Sequence, residues 1–420
     1  MEFYHSVTLD KDKCVGCTNC IKRCPTEAIR VRDGKAYIMK ERCIDCGECI
    51  RVCPHHAKKA VYSHLAEIDK FKYKIALPAP ALYGQFNNLD DLDYVLNGIK
   101  QLGFDEVLEV SVAAELVSEA TRKLMQENKL EKPVISSACP AIVRLIRVRF
   151  PDLCKHVLPI NSPMEIAAQI AKEKASKEQG LNLKDIGCFF ISPCPAKVTD
   201  VTAPITVEKS AVDGAIAISE IFPVLSGKMD KLKELESLAN TGRIGVSWAT
   251  SGGESAALIN IKYLAADGIE NVIRILEEIE DERIGELDFI ELNACTGGCV
   301  GGVLCVENPY IAKVRIQNIR RYLPVSKNHI KSEVQKFMNW RDELEFSDVL
   351  TLSNDINEAM QMMIAIDDIE EELPGLDCGA CGSPSCRAFA EDIIKGKCKK
   401  SDCLFILKEK MQDLMGALDL

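Results

Sequence analysis

The chain has 420 residues, 20 of them cysteine, and carries 63 acidic against 52 basic side chains for a net charge of −11. That length implies two to four domains, and the acidic excess excludes nonspecific binding to phosphate backbones, which needs clustered Lys and Arg. A hydrophobic content of 47% supports a packed core and argues against disorder, while no stretch approaches the roughly 18–20 consecutive apolar residues of a membrane span. The opening Met1-Glu2-Phe3-Tyr4-His5 lacks the basic-then-apolar pattern of a secretory leader. The expectation is a cytoplasmic address, where thiols stay reduced and so many cysteines serve as metal ligands sooner than as disulfides.

Residues 1–62 form the first expected unit. Cys14, Cys17, Cys20 and Cys24, then Cys43, Cys46, Cys49 and Cys53, repeat the spacing C-x2-C-x2-C-x3-C-P with a shift of 29 residues, closed by Pro25 and Pro54. This is the bacterial two-cluster ferredoxin run, in which the fourth cysteine of each copy serves the other cluster. Cys14, Cys17, Cys20 and Cys53 are therefore assigned to one 4Fe–4S cluster, and Cys43, Cys46, Cys49 and Cys24 to a second. Paired zinc sites are the alternative, but zinc prefers two separated C-x2-C pairs and gives no reason for the x3-C-P ending.

Residues 63–350 read as α/β. Strand-like runs fall at 73–77, 106–110, 133–136, 185–191, 215–218, 243–246 and 287–292, with helical patterns between them at 112–127, 164–175 and 254–266. Such alternation implies parallel sheets, here in two lobes, with ligands in the loops beyond the strand C-termini. Cys139, Cys194, Cys295 and Cys299 occupy such loops, and a further loop, Thr250-Ser251-Gly252-Gly253, offers bare backbone N–H groups at Ser251 and Gly252. Residues 310–350 read as helical packing material.

Residues 351–420 form a third unit, small and helical. An acidic run at 367–372, taken as a solvated helix face, precedes Cys378, Cys381, Cys386, a helical pattern over 387–397, and Cys398. The spacing C-x2-C-x4-C-x11-C describes a compact cluster site, with tetrahedral zinc as the alternative. Cys403 lies only five residues beyond Cys398 and is a substitute fourth ligand, although the helix ending at Cys398 favours that residue. Cys154, Cys188, Cys305 and Cys403 otherwise read as small buried hydrophobes or ordinary thiols.

The middle loops resemble the signature segments of the FeFe (iron-only) hydrogenases. Ser136-Ser137-Ala138-Cys139-Pro140 is similar to T-S-C-C-P, Ser192-Pro193-Cys194-Pro195-Ala196-Lys197 to M-P-C-x-x-K, and Glu291-Leu292-Asn293-Ala294-Cys295-Thr296-Gly297-Gly298-Cys299-Val300-Gly301-Gly302 to E-x-M-A-C-x-x-G-C-x-x-G-G. Leu102-Gly103-Phe104-Asp105-Glu106-Val107 also looks like the family, the N-terminal unit is its usual attachment, and the C-terminal segment resembles a 4Fe–4S module of bacterial redox and signalling proteins. The resemblance implies an H-cluster, a 4Fe–4S cubane joined to a two-iron subsite bearing CO and cyanide. Cys139, Cys194, Cys295 and Cys299 would hold the cubane, with Cys299 bridging to the subsite and Lys197 donating to a cyanide. Ser192, Pro193, Asn293, Ser251 and Gly252 would border the group.

The departures carry as much information as the matches. The family's proton-relaying cysteine is Ala138 here, whose methyl group transfers no proton; the usual Met is Asn293; and the acidic pair expected in the helix after Phe104 falls on Ala120-Thr121. Such sequences resemble a sensory, low-activity branch, implying H2 and protons as substrates, a redox partner and a downstream signalling protein, with no nucleic acid. The competing readings are a hydrogenase-like protein without the two-iron subsite, serving electron transfer or cluster scaffolding, and a relay subunit whose middle domain is purely structural. For the N-terminal unit, Cys17→Ser should remove or cripple one 4Fe–4S cluster and leave the middle region folded. Unchanged iron content and reduced-state EPR signals in that variant would refute the ligand assignment.

Overall fold

The sequence repeat is also a repeat of backbone conformation. In the computed structural model, which describes residues 4–417, left-handed residues recur at matched positions of the two copies: Gly16 and Asp45, Thr18 and Gly47, Glu27 and His56. These turns wind each loop so that its thiols face inward. A helical turn follows in each copy, Asn19–Lys22 and Glu48–Arg51. Val7–Leu9 pairs antiparallel with Lys58–Ala60, and Ile29–Arg32 with Lys35–Ile38, so the chain ends of the unit are tied together. Met1–Phe3 of the opening segment and residues 418–420 of the third unit lie outside the described residues.

The middle region holds two parallel sheets, as the alternation of patterns predicts. One runs Glu106–Val107, Tyr73–Pro78, Ile186–Ser192, Gly214–Ala217; the other runs Tyr263–Asp267, Phe289–Asn293, Val134–Ile135. The central strand Ile186–Ser192 is buried at every residue, which explains its unbroken apolar run. Helix Val110–Glu127 and helix Pro163–Gln179, the latter capped by Ser162 donating no proton but accepting from the Glu165 N–H, pack over the first sheet.

Two expected elements differ. Residues 243–246 belong to a helix, Arg243–Ser247, not a strand. A short buried apolar run carries no usable periodicity, and here tertiary packing decides, because a Cβ on Gly245 would stand 2.1 Å from the Ser111 carbonyl oxygen of the neighbouring helix. The helix expected over 254–266 stops after Gly253–Ala256. Ile259 and Asn260 are both left-handed, which ends a helix, and the chain then enters the strand Tyr263–Asp267, missed in the sequence. The helical reading of 310–350 holds for Pro309–Arg320; beyond it to residue 350 the only helix among the described residues is the turn Ser332–Gln335.

The third unit is built from helices Ile356–Glu371, Cys386–Ile394 and Leu404–Ala417, around Ile366, Leu373, Phe389, Cys403 and Ile406. The acidic run does lie at the end of a helix, with Asp367, Asp368 and Glu371 exposed.

Candidate metal centres

Each N-terminal quartet lines one cavity. Cys14, Cys17, Cys20 and Cys53 share the first, and Cys24, Cys43, Cys46 and Cys49 the second, so the fourth cysteine of each copy crosses over. Backbone N–H groups donate to the sulfurs at repeated positions: Ala28 to Cys24 at 3.2 Å and Ala57 to Cys53 at 3.3 Å. Burial pushes the Cys43, Cys46 and Cys49 thiols well above the ordinary range. Thiolates in such apolar pockets require a metal to carry their charge.

Geometry chooses which metal. A tetrahedral zinc with Zn–S near ~2.3 Å draws four sulfurs within about 4 Å of one another. Among the described residues, the only group of three or more metal-type ligand atoms within 4.8 Å of one another is His5, Cys43 and Asp45. The quartets are therefore spread wider than one ion spans, and a cuboidal cluster fits them. Asp45 is committed elsewhere: it accepts from Val7 N–H and Thr199 Oγ1, both at 2.9 Å, while Ser6 Oγ donates to the Pro195 carbonyl at 2.8 Å. Arg51 donates to the Gly301 carbonyl at 2.7 Å. The second cluster loop is thus laced directly onto the middle region.

There, the carboxyl ends of strands from both sheets converge. Cys139 and Cys194 each precede a Pro-initiated helix, Pro140–Arg149 and Pro195–Thr202, and proline suits that first position because the helix leaves its N–H unused anyway. Cys295 and Cys299 follow the strand Phe289–Asn293. Burial pushes Cys194 up to about 12 and Cys295 well above its usual value, and the neighbouring sulfurs of the quartet push both in the same direction. The glycine-rich loop can approach its neighbours only without side chains: a Cβ on Gly302 would stand 2.1 Å from the Pro193 carbonyl oxygen, and one on Gly298 2.5 Å from Ser251 N.

A second, partly apolar cavity opens beside Cys299, lined among others by Ala138, Pro193, Lys197, Asn293, Glu254 and Glu291. Lys197 donates to the Ala138 carbonyl at 3.0 Å, joining the first two signature loops. Burial opposes its charge, but the Cys299, Cys194 and Cys139 sulfurs outweigh that and hold its pKa above the ordinary value. Across the cavity two buried carboxyls form a pair. Glu291 accepts from Gly252 N–H and Ser255 N–H at 2.9 Å and from Asn293 Nδ2 at 3.0 Å. Glu254 accepts only from Ser136 Oγ, at 2.6 Å, and burial with the Glu291 charge pushes it up to about 8. Burial raises the Glu291 carboxyl too, but its three donors oppose that, so Glu254 is the member of the pair that holds a proton more readily.

Several assigned residues stand differently from expectation. The Gly252 and Ser251 N–H groups are occupied by Glu291 and by the Gly297 carbonyl, and their loop follows a helix instead of a strand, so neither residue borders the cavity. Ser192 is fully buried and bonded to Cys194, with only Pro193 of that pair lining the space. Glu254 and Glu291 were not singled out as a pair, since 37 residues separate them. In the third unit, the cavity is lined by Cys378, Cys381, Cys386 and Cys403, not Cys398. The helix stops at Ile394, earlier than the sequence pattern, and the Cys398 thiol instead lies 3.8 Å from the Phe389 carbonyl. Cys403 is a buried member of this unit's core, as the sequence suggests, and also lines the cavity.

The family model described as "Iron only hydrogenase large subunit, C-terminal domain" matches residues 72–303, a 4Fe-4S dicluster domain matches 6–54, and an Fe-S cluster model matches 373–405. The chain is similar to iron hydrogenase 1 of Clostridium pasteurianum, 25% identical over 389 residues that take in 75% of this chain and 68% of that protein. It is also similar to the cytosolic Fe-S cluster assembly factor NAR1 of Scheffersomyces stipitis, 25% identical over 163 residues, 37% of this chain and 30% of that one. A solved FeFe-hydrogenase structure shares the fold at a TM-score of 0.50 and 18% identity, covering 62% of this chain and 90% of its own.

For the third unit, Cys403→Ser in the full chain should lose the C-terminal cluster, while Cys398→Ser should retain it. Iron content with visible absorption checks this; the reverse pattern would return the fourth ligand to Cys398.

Proposed function

The chain belongs to the iron-only hydrogenase family, and from that premise we propose that it oxidises and forms hydrogen slowly, at an H-cluster whose state is reported instead of used for flux. The observation that carries the reading is the cavity beside Cys299, where a buried ammonium, Lys197, and a protonated carboxyl, Glu254, face the same small space. When bound, the two-iron subsite supplies the heterolytic chemistry of H–H cleavage. The chain's own part is to hold the cubane through Cys139, Cys194, Cys295 and Cys299, to keep water out, and to present charge and protons. Lys197 offers N–H donors to an anionic ligand, a task that suits a compact ammonium. Pro193, Ala138 and Asn293 border the space.

Proton handling sets the pace. Ala138 carries no transferable proton, and Glu254 is the carboxyl that holds one. A pKa near 8 suits exchange close to neutral pH, yet the hydroxyl bonded to Glu254 is buried, Ser136 being 2% exposed. A proton held on a buried carboxyl whose one partner is a buried serine exchanges slowly with solvent, which favours reporting over turnover. Electrons would pass between the cubane and the second N-terminal cluster, across the bonded contact of Asp45 with Thr199. We take 1–62, 63–350 and 351–420 as ferredoxin-like, hydrogenase-like and C-terminal iron–sulfur domains. A cytoplasmic setting with a redox partner and a signalling partner completes the proposal; no helix of the described residues is long and apolar enough to cross a membrane.

The similarity to a cluster assembly factor favours a second reading, an iron–sulfur scaffold without the two-iron subsite. Infrared spectra after maturation separate the two, since bands from bound CO and cyanide are expected only in the first. With the subsite loaded, turnover should fall about 10²–10⁴-fold below relatives with the relay cysteine, the usual worth of acid–base assistance. Ala138→Cys should shift the pH dependence of turnover, and wild-type rates equal to those relatives would overturn the sensory reading.

Glu254 also gives a pH signature. Its pKa rises from an ordinary 4.5 to about 8 in the fold, so the stability it favours is complete below pH 4.5 and is lost as pH rises through 8. The thermal midpoint should therefore fall between pH 6 and pH 9, and Glu254→Gln, which mimics the protonated form, should flatten that fall. An equal slope in both proteins would show that Glu254 is ionised throughout.

A further inference from the structure

The C-terminal loop that carries Cys378, Cys381 and Cys386 is seated on the N-terminal unit. The Val31 N–H donates to the Gly382 carbonyl at 2.8 Å, Arg32 Nη1 donates to the Cys381 carbonyl at 3.0 Å, and Lys22 Nζ donates to the Pro384 carbonyl at 3.1 Å. The fit is close: a Cβ on Gly382 would stand 2.0 Å from the Val31 carbonyl oxygen, and one on Gly379 2.9 Å from Lys22 Cε. Val31 itself lines the cavity shared by Cys14, Cys17, Cys20 and Cys53. One residue therefore separates the first N-terminal cavity from the loop segment Cys381-Gly382.

A single carboxylate fastens this contact. Asp392 Oδ2 accepts from Arg30 Nε at 2.7 Å, Arg32 Nη2 at 2.6 Å and Ser383 Oγ at 2.9 Å. The Asp392 and Arg30 side chains are 3% and 0% exposed. Arg42 with Glu391, at 2.7 Å, adds a second ion pair between the same elements. A helix-borne carboxylate holding two arginines of a neighbouring strand, out of water, costs desolvation and returns fixed geometry. Small surface contacts between mobile modules do not need such an arrangement.

We propose that Asp392 is a positioning residue that fixes the C-terminal cluster as a relay station in series with the first N-terminal cluster. This rests on the iron–sulfur reading of both cavities and is independent of hydrogen chemistry. In each transfer one electron leaves the first cluster as the C-terminal cluster takes it up, and no bond or proton changes hands. A one-electron acceptor protein would then drain the C-terminal cluster. Cys378 is exposed and gives the C-terminal cavity a solvent-facing wall.

The test uses the full chain with its clusters, reduced by dithionite, and low-temperature EPR with hydrogen exchange as a second readout. Wild type should show spin–spin broadening of the first-cluster signal, and Cys403→Ser should sharpen it while the other N-terminal signal stays unchanged. In Asp392→Asn, which leaves the buried Arg30 and half-buried Arg32 guanidinium groups short of their acceptor charge, the broadening should weaken with iron content retained. Protection of the Val31 amide should drop about 10²-fold, since losing one partner of a buried pair typically costs ~3 kcal/mol. Arg32→Gln, at a half-buried position, should weaken the broadening without threatening the fold, and Asp392→Glu should partly restore it. Broadening that persists in both Asp392→Asn and Arg32→Gln overturns the positioning role. A wild-type first-cluster signal with no broadening overturns the series, and iron missing from the C-terminal cavity overturns the cluster reading beneath it.

Discussion

A thiolate removed from water is costly, and this chain buries its sulfurs in quartets. The rest of the architecture follows from the need to present those sulfurs to something that carries the opposite charge. Left-handed turns at matched positions aim the N-terminal loops inward. Prolines directly after Cys139 and Cys194 start helices that hold those two thiols at strand ends. Glycines at 298 and 302 allow the third signature loop to come within backbone contact of the other two. None of these features would be worth its conformational cost in a protein whose thiols stayed protonated.

The same constraint explains what was legible in the sequence. The eight N-terminal cysteines were assignable because their spacing encodes local loop geometry, which a repeat shows twice. The strands 73–77, 185–191 and 287–292 were legible because fully buried parallel strands are continuous apolar runs. The fourth C-terminal ligand was not, because Cys398 and Cys403 differ only by how far a helix runs before the chain turns back. Residues 243–246 were misassigned because Gly245 answers to the backbone of a helix more than a hundred residues earlier. The loop at 250–253 looked like an anion cradle, but its N–H groups serve Glu291, a partner visible only in three dimensions.

Long-range hydrogen bonds, not sequence neighbours, also decide how the parts address one another. Asp45 sits between two cysteines of the second cluster and bonds to Thr199, five residues beyond Cys194. Arg32 sits one residue beyond Val31, at the first cluster's wall, and bonds to Cys381. Each side of the N-terminal unit is thus tied to a different cysteine loop through groups that lie between ligands. The unit is held from both sides, which suits a conductor in series better than a tethered domain.

Two of the departures from the family pattern, Ala138 and Asn293, bear on one carboxyl pair. A methionine at 293 would leave Glu291 with two backbone donors; the asparagine amide adds a third and draws the shared negative charge to that side. With the charge fixed on Glu291, its field and the surrounding apolar wall keep the proton on Glu254. Ser136, which donates to Glu254, also accepts from the Ala138 N–H at 3.1 Å, so the protonated carboxyl is bonded to the very segment from which the relay thiol is missing. The segment without a proton carrier and the carboxyl that holds a proton therefore meet at a single serine. The amide at 293 strengthens a bias that the Gly252 and Ser255 N–H groups already set toward charge on Glu291.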